Sequence, residues 1–248
     1  MRLVARTPRE SYLCSVNTKT AVVIPVYRHS GRLGGVIEGV SEFLPRERIL
    51  VVDDGSPAPM VPGGKTPRQL ARDMGCRAMY HRRNLGKGAA LRTGFDFWAR
   101  YGMEWVLTLD ADGQHDPAEL EKFARFTKSG EADLVIGSRM GDLSSMPWDR
   151  RFSNRFSSLL LSLAAGQRIE DAQCGYRLVR LASIAGIDWR EEGYVFESEM
   201  IVRLARRGRR IVFVPVRTIY AADQPSSINR VPETLRFLRM LVYSMVKP

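Results

Sequence analysis

The sequence predicts an α/β fold, one domain with a mostly parallel central sheet flanked by helices. Two observations carry this. Runs of four to six apolar residues alternate with amphipathic stretches from Thr20 to about residue 215. Two of those runs end in paired acids, Asp53-Asp54 and Asp110-Ala111-Asp112. In open parallel sheets ligands bind just beyond the carboxyl ends of strands, so these acids fall where a site belongs.

Residues 1–19 have no clear period, and no apolar core followed by a small-residue cleavage site; they read as an N-terminal extension, not a signal peptide. Ala21-Val22-Val23-Ile24 is a first strand and Gly31 to Phe43 a helix. Ile49-Leu50-Val51-Val52 is a second strand, ending in Asp53-Asp54-Gly55-Ser56. Residues 57–66, rich in Pro and Gly, form a loop before a short helix near 67–74 and a strand near 76–80. A helix from about Lys87 to Tyr101 precedes the strand Trp105-Val106-Leu107-Thr108-Leu109. Asp116-Pro117-Ala118-Glu119 has the chemistry of a helix start: a capping Asp, Pro at the first position and an acid in the first turn. Leu134-Val135-Ile136-Gly137 is a further strand. Beyond it lie helices at about 150–165, 196–207 and 232–247, with strands near 175–180 and 211–215.

Lys and Arg number 38 against 27 Asp and Glu, a net charge of +11 with a pI near 10.0. Such a surplus points to an anionic partner: nucleic acid, anionic membrane or phosphorylated small molecules. The half from residue 139 onward is the more basic, and there Arg outnumbers Lys seventeen to one. Arg presents a rigid fork of donors matched to phosphate oxygens. With 44% hydrophobic residues, bulk disorder is excluded, and no window is long and apolar enough for a spanning helix. The three cysteines, Cys14, Cys76 and Cys174, are far apart and lack a C-x-x-C spacing, which argues against a disulfide framework and for a reducing, cytoplasmic compartment.

Asp110 and Asp112, with Gln114 and His115 beyond, follow a buried strand directly. Carboxylates two apart at a strand end can turn toward one ion, and hard oxygen ligands suit Mg²⁺ or Mn²⁺ bridging to substrate phosphates. A calcium loop is excluded, because His115 stands at the position that needs glycine and Pro117 interrupts. Gly64-Lys65-Thr66 ends like a P-loop, but Pro59 stands at its first glycine. Asn84-Leu85-Gly86-Lys87-Gly88 lacks the third glycine of a dinucleotide fingerprint; a loop approaching phosphate and a plain helix start remain its two readings. His29, His81 and His115 lie at no metal spacing, and no Gly-x-Ser-x-Gly elbow occurs.

The motifs stand in a familiar order: Ile24-Pro25-Val26-Tyr27, Val51-Val52-Asp53-Asp54-Gly55-Ser56, Asn84-x-Gly86-Lys87-Gly88-x-Ala90, Leu109-Asp110-Ala111-Asp112-Gly113-Gln114-His115-x-Pro117 and Gly137-Ser138-Arg139. Arg150-Arg151, Asn154-Arg155, Asp171-Ala172-Gln173-Cys174-Gly175-Tyr176-Arg177 and Phe196-Glu197-x-Glu199 follow. This series resembles the family 2 (GT-A fold) glycosyltransferases, in the branch of dolichyl- and polyprenyl-phosphate sugar transferases, over roughly residues 20–230. The resemblance implies one nucleotide-binding domain over 20–231; Leu235, Leu238, Leu241 and Val242, at helical spacing, mark an amphipathic helix over 232–248. It implies that Pro25, Tyr27, Asp53, Asp54, Lys87, Asp110 and Ala111 surround a nucleotide-sugar donor. Asp110, Asp112 and Gln114 would hold Mg²⁺ or Mn²⁺, and Arg139, Arg150, Arg151, Asn154, Arg155, Gln173 and Arg177 the acceptor phosphate. Asp112, Asp171 and Arg139 are the implied catalytic residues. The branch carries Tyr-Asn-Glu where this chain has Tyr27-Arg28-His29, which leaves UDP and GDP donors both open.

The expected reaction is inverting transfer to a lipid phosphate. A phosphate monoester with a second pKa of about 6 needs no general base. A hydroxyl acceptor on a saccharide or other small molecule needs one, and Asp171, Glu197 and Glu199 are then the candidates. The helix from Pro232 to Val246 reads equally as a packing helix and as an interfacial one. With the basic surplus, including Arg236, Arg239 and Lys247, it suggests peripheral attachment to the cytoplasmic face of an anionic bilayer. A nucleic-acid-binding protein, which pI alone favours, lacks any recognisable motif and is not expected.

Overall fold

A computed structural model describes residues 17–28, 31–59, 64–141, 148–217, 219 and 230–246. Residues 1–16, His29 and Lys247 lie outside them. Seven strands form one sheet: β1 (Thr20–Val26), β2 (Ile49–Asp53), β3 (Arg77–Tyr80), β4 (Trp105–Thr108), β5 (Leu134–Ser138), β6 (Arg177–Arg180) and β7 (Ile211–Pro215), in the order β3-β2-β1-β4-β6-β5-β7. The helices are α1 (Leu33–Ser41), α2 (Pro67–Asp73), α3 (Lys87–Arg100), α4 (Leu120–Ser129), α5 (Trp148–Ala165), α6 (Leu181–Ile184), α7 (Phe196–Arg206) and α8 (Arg230–Val246). The expected α/β layering is present. Every residue of β1, β2, β4 and β5 is buried. That is why these strands read as unbroken apolar runs: a parallel strand covered on both faces has no solvent side to alternate with.

Helix starts follow their local chemistry. Asp116 Oδ1 accepts from Ala118 N at 3.0 Å, and Pro117 opens a 3₁₀ turn (Pro117–Glu119) that continues as α4. Thr66 and Gln69 form a reciprocal capping box at the start of α2. The C-terminal helix begins at Arg230, two residues ahead of Pro232; proline is tolerated there because first-turn N–H groups have no intrahelical partner. Met240 and Leu241 bury one side of it, and it touches α5 and α7.

α3 lies directly on β1. Trp98 Nε1 donates to Val22 O at 3.0 Å, and a Cβ on Gly94 would stand 2.6 Å from the Val23 methyls, so the close approach needs glycine there. Burial of a side chain such as Trp98 or Phe95 contributes about 2 kcal/mol.

Two features of the topology place the site. Strand order reverses between β1 and β4, which opens a crevice at their carboxyl ends. β6 runs antiparallel to both β4 and β5, and its first residue, Arg177, pairs with Thr108 and Ile136 near the ends of those strands. An antiparallel strand starts where its parallel neighbours finish. The loop 171–176 is therefore delivered to the mouth of the crevice.

Candidate active site

At the ends of β1 and β2 the two buried acids organise turns. Asp53 Oδ1 accepts from Ser56 N at 2.9 Å, and Ser56 Oγ accepts from Arg28 N at 2.9 Å. Arg28 has φ 66°, the left-handed region that side chains with a Cβ rarely enter, and its guanidinium lies 4.8 Å from the Tyr27 ring centre. Such strain concentrates where a chain is held for function. Pro25 sits within buried β1, opposite Val52. Asp54, expected at the nucleotide, has both oxygens engaged by the protein. Its Oδ1 accepts from Leu85 N at 3.0 Å and lies 2.7 Å from His81 Nδ1, while Oδ2 accepts from Gly86 N at 2.8 Å. Both oxygens are spent on holding the loop 84–86, and His81 is braced in turn by Thr93, 2.9 Å from its Nε2.

That loop leads into α3, where Lys87 is the centre of a buried charge cluster. Its Nζ lies 2.7 Å from Asp110 Oδ1 and 2.8 Å from Glu197 Oε2. Asp110 Oδ2 is 3.5 Å from His115 Nε2, and Glu197 Oε1 is 3.3 Å from Arg177 Nε. Burial pushes the Lys87 ammonium down, but the Asp110 and Glu197 carboxylates outweigh it and hold its pKa well above the ordinary lysine value. Burial likewise pushes Asp110 up, while Lys87 and His115 hold its carboxyl far below the usual range. The start of α3 is not an open anion site. Gly88 N and Ala89 N donate to Gly193 O and Glu192 O at 3.2 and 3.0 Å.

Asp110 and Asp112 flank buried Ala111 on the turn after β4. Asp112 Oδ1 accepts from Gln114 N at 2.9 Å, and its carbonyl accepts from Arg32 Nη1 at 3.3 Å. A cleft of about 330 Å³ opens beside this turn, lined by Arg32, Gly113, His115, Pro117 and Ile219 among others. The residues fit a hard divalent cation. A Cβ on Gly175 would come within 2.5 Å of Asp110 Oδ2 and 3.0 Å of Lys87 Nζ, so glycine keeps space beside that oxygen. Among the described residues no group of three or more His, Cys, Asp and Glu forms a metal cage. A cation here would take a carboxylate or two from the protein, as in Mg²⁺ sites completed by substrate phosphates.

The loop 171–176 joins this cluster to a second one. Asp171 accepts from Arg139 N, Nε and Nη2 at 3.0, 2.8 and 2.8 Å, from Asn154 Nδ2 at 2.9 Å and from Gln173 N at 3.0 Å. Burial opposes its ionisation, but the Arg139 hydrogen bonds and charge, with Asn154, hold its pKa below the ordinary value. Two residues expected at the acceptor phosphate point elsewhere. Arg177 is buried and donates to Cys174 O at 2.8 Å, Ala172 O at 3.0 Å and Glu197 O at 2.7 Å, so it folds the loop instead of facing a substrate. Asn154 is buried too, its amide committed to Asp171. Gln173 Nε2 reaches Ser157 Oγ at 3.2 Å. Arg155 is exposed and Arg151 half-buried on α5; the side chain of Arg150 lies outside the described residues.

Sequence reasoning missed the parts that only proximity reveals: the bracing of Asp54 by His81, the Lys87–Glu197 bridge, and Gly175 as the wall beside Asp110. Of these only Gly175 left a signal, as the glycine of the Cys174-Gly175-Tyr176-Arg177 motif.

A family model described as "Glycosyl transferase family 2" matches residues 21–186. A polyprenol monophosphomannose synthase from Mycolicibacterium smegmatis is 33% identical over 206 residues, covering 80% of this chain and 76% of that protein. An undecaprenyl-phosphate mannosyltransferase from Micrococcus luteus is 30% identical over 204 residues, covering 80% and 82%. Among solved structures, glucosyl-3-phosphoglycerate synthase from Mycobacterium tuberculosis superposes with a TM-score of 0.68 at 17% identity, over 98% of this chain and 86% of that one. The same enzyme in complex with Mn²⁺, UDP and glucosyl-3-phosphoglycerate superposes with a TM-score of 0.65 at 16% identity, over 100% and 88%. At that identity the likeness speaks for the fold alone. The sequence match over two thirds of the chain and the relatives at 30% identity or more do not stop there: the chain belongs to glycosyl transferase family 2 and is a glycosyltransferase.

Proposed function

We propose that the chain moves a sugar from a nucleotide-diphosphate donor to a polyprenyl-type lipid phosphate by one inverting displacement assisted by Mg²⁺ or Mn²⁺. One observation carries the choice of acceptor: each of the three carboxylates considered as a base is already engaged. Asp171 receives five donors and is held ionised. Glu199 accepts from Arg190 N, Glu191 N and Arg203 Nε. Glu197 is tied to Lys87. None is poised to take a proton from a hydroxyl, and a phosphate acceptor, dianionic near neutral pH, requires no base. The relatives named for polyprenol and undecaprenyl phosphate support the same acceptor.

In this reading a phosphate oxygen attacks the anomeric carbon, the bond from that carbon to the donor diphosphate breaks, and the nucleoside diphosphate leaves with the electron pair. Asp110 and Asp112 would hold the cation, which would supply charge stabilisation for the leaving group. Lys87 and His115 fix the Asp110 carboxylate, while Arg32 and the backbone N–H of Gln114 fix the Asp112 turn. Arg139, anchored by Asp171, offsets the repulsion between two anions brought together. The buried free thiols of Cys76 and Cys174 accord with a reducing, cytoplasmic compartment.

The test is a transfer assay with radiolabelled UDP- and GDP-sugars, polyprenyl phosphate and Mn²⁺. Label should pass into the organic phase as an acid-labile product and cease with EDTA. Transfer to a sugar hydroxyl with none to lipid phosphate would overturn the reading.

A further inference from the structure

Among the described residues, the C-terminal helix is not alone in exposing apolar side chains: α5 does so along its length. Trp148, Phe152, Phe156, Leu159 and Leu163 are all exposed, from 53% at Phe156 to 79% at Trp148. At 100° per residue the five fall within an arc of about 80° and extend along roughly 22 Å of helix. They lie opposite Asn154, Ser158, Leu161 and Ala164, which are buried. Phe152 and Phe156 stack with their rings 6° from parallel. A helix that only covered a domain would carry polar residues on its outer side. A contiguous apolar stripe on that side marks an interaction surface. α8, which touches α5, repeats the arrangement with Leu235, Leu238 and Val242 exposed.

Charge identifies the occupant. Arg151 and Arg155 run along one edge of the α5 stripe, and the helix as a whole carries three arginines against one acid, Asp149. A second copy seated on this face would bring two such basic helices together, three arginines to one acid on each. A surface of anionic headgroups over acyl chains satisfies both the stripe and its edge.

We propose that α5, with α8 beside it, is a bilayer-docking face, its apolar stripe entering the headgroup–acyl boundary of an anionic membrane with Arg151 and Arg155 at phosphate level. The other face of α5 holds Asp171 through Asn154, so docking puts the Arg139–Asp171 loop about one helix diameter, about 10 Å, from the lipid. A lipid-borne phosphate then reaches the site without leaving the bilayer. That consequence rests on the lipid-phosphate reading; the docking itself does not.

The experiment is co-sedimentation of the full chain with phosphatidylcholine vesicles, with and without phosphatidylglycerol. The wild type should bind the anionic vesicles, and Phe152→Glu/Leu159→Glu should lower that partitioning by at least about tenfold. The variant should keep its thermal midpoint and its transfer to a short, water-soluble prenyl phosphate. Failure of the wild type to bind anionic vesicles overturns the proposal, as does equal binding by the variant. A dimer that the variant dissolves, seen by light scattering without vesicle binding, overturns it in favour of self-association. Stripe-dependent vesicle binding without glycosylation of any lipid phosphate upholds the docking face and removes only the acceptor reading.

Discussion

Lys87→Met removes one positive charge from between the half-buried Asp110 carboxylate and the buried Glu197 one, and keeps an unbranched side chain in the space. The Asp110 and Glu197 oxygens, each within 2.8 Å of the same Nζ, are at most about 5.5 Å apart. At the effective dielectric that suits protein sites their repulsion is about 3 kcal/mol. Breaking a buried ion pair from one side costs about 3–5 kcal/mol, in agreement. For a domain of this size each kcal/mol lowers Tm by about 2–4 °C, so the variant should melt about 6–12 °C below wild type at pH 7. The pH dependence has a definite sign. In the wild type the folded Asp110 pKa is depressed, so its stabilisation is present above about 4 and lost as pH falls through the folded value. Without Lys87, burial and Glu197 push the carboxyls up, and the deficit should shrink between pH 7 and pH 5 as one takes a proton. Differential scanning fluorimetry across that range, with and without Mn²⁺ and nucleoside diphosphate, reads both effects. A variant within about 1 °C of wild type at pH 7, well under the shift of even one kcal/mol, would refute the cluster as a charge-balanced unit.

Gly175→Ala should displace the Asp110 carboxylate, since the new methyl would sit 2.5 Å from Oδ2; about 1–3 kcal/mol of stability and most of the Mn²⁺ affinity measured by calorimetry should go with it. Asp112→Asn keeps the oxygen that Gln114 N requires, so the fold should stand, in circular dichroism, while metal-dependent donor turnover disappears. Asp171→Asn strands Arg139; acceptor KM should rise by about tenfold with a smaller change in kcat, and the steep acid loss of stability in the wild type should flatten in urea titrations below pH 5. Arg28→Gly relieves a left-handed residue and should stabilise by about 1 kcal/mol in thermal melts, with any altered nucleotide affinity reporting the use of that strained turn.

The fold was legible wherever burial leaves a one-dimensional trace. β1, β2, β4 and β5 are covered on both faces and show as apolar runs, and the Asp116-Pro117 start and the Thr66–Gln69 box are local chemistry. The direction of β6 left no trace, because strand polarity depends on where the chain returns and not on which residues it carries. Within the site, the acids at the strand ends were legible from position alone: a carboxylate after a buried strand has the crevice beside it. Arg177 misled. An arginine in a glycine-flanked loop looks like an anion receptor, but here it binds three backbone carbonyls in the core. The α5 stripe was hidden for the opposite reason: an apolar residue at helical spacing is read as core until the other face is seen to be buried.

The sequence by itself determined the alternation of strand and helix, the acids at the ends of β2 and β4, and membership of the family, because each is written in contiguous residues whose periodicity and chemistry are local. Tertiary structure alone decided which charges meet. Lys87 finds Asp110 and Glu197 across 23 and 110 positions of chain, Asp171 finds Arg139 and Asn154, and the strand order opens the crevice that both clusters line. Coulomb energies and hydrogen bonds act over a few ångströms of space, and chain separation does not report that distance.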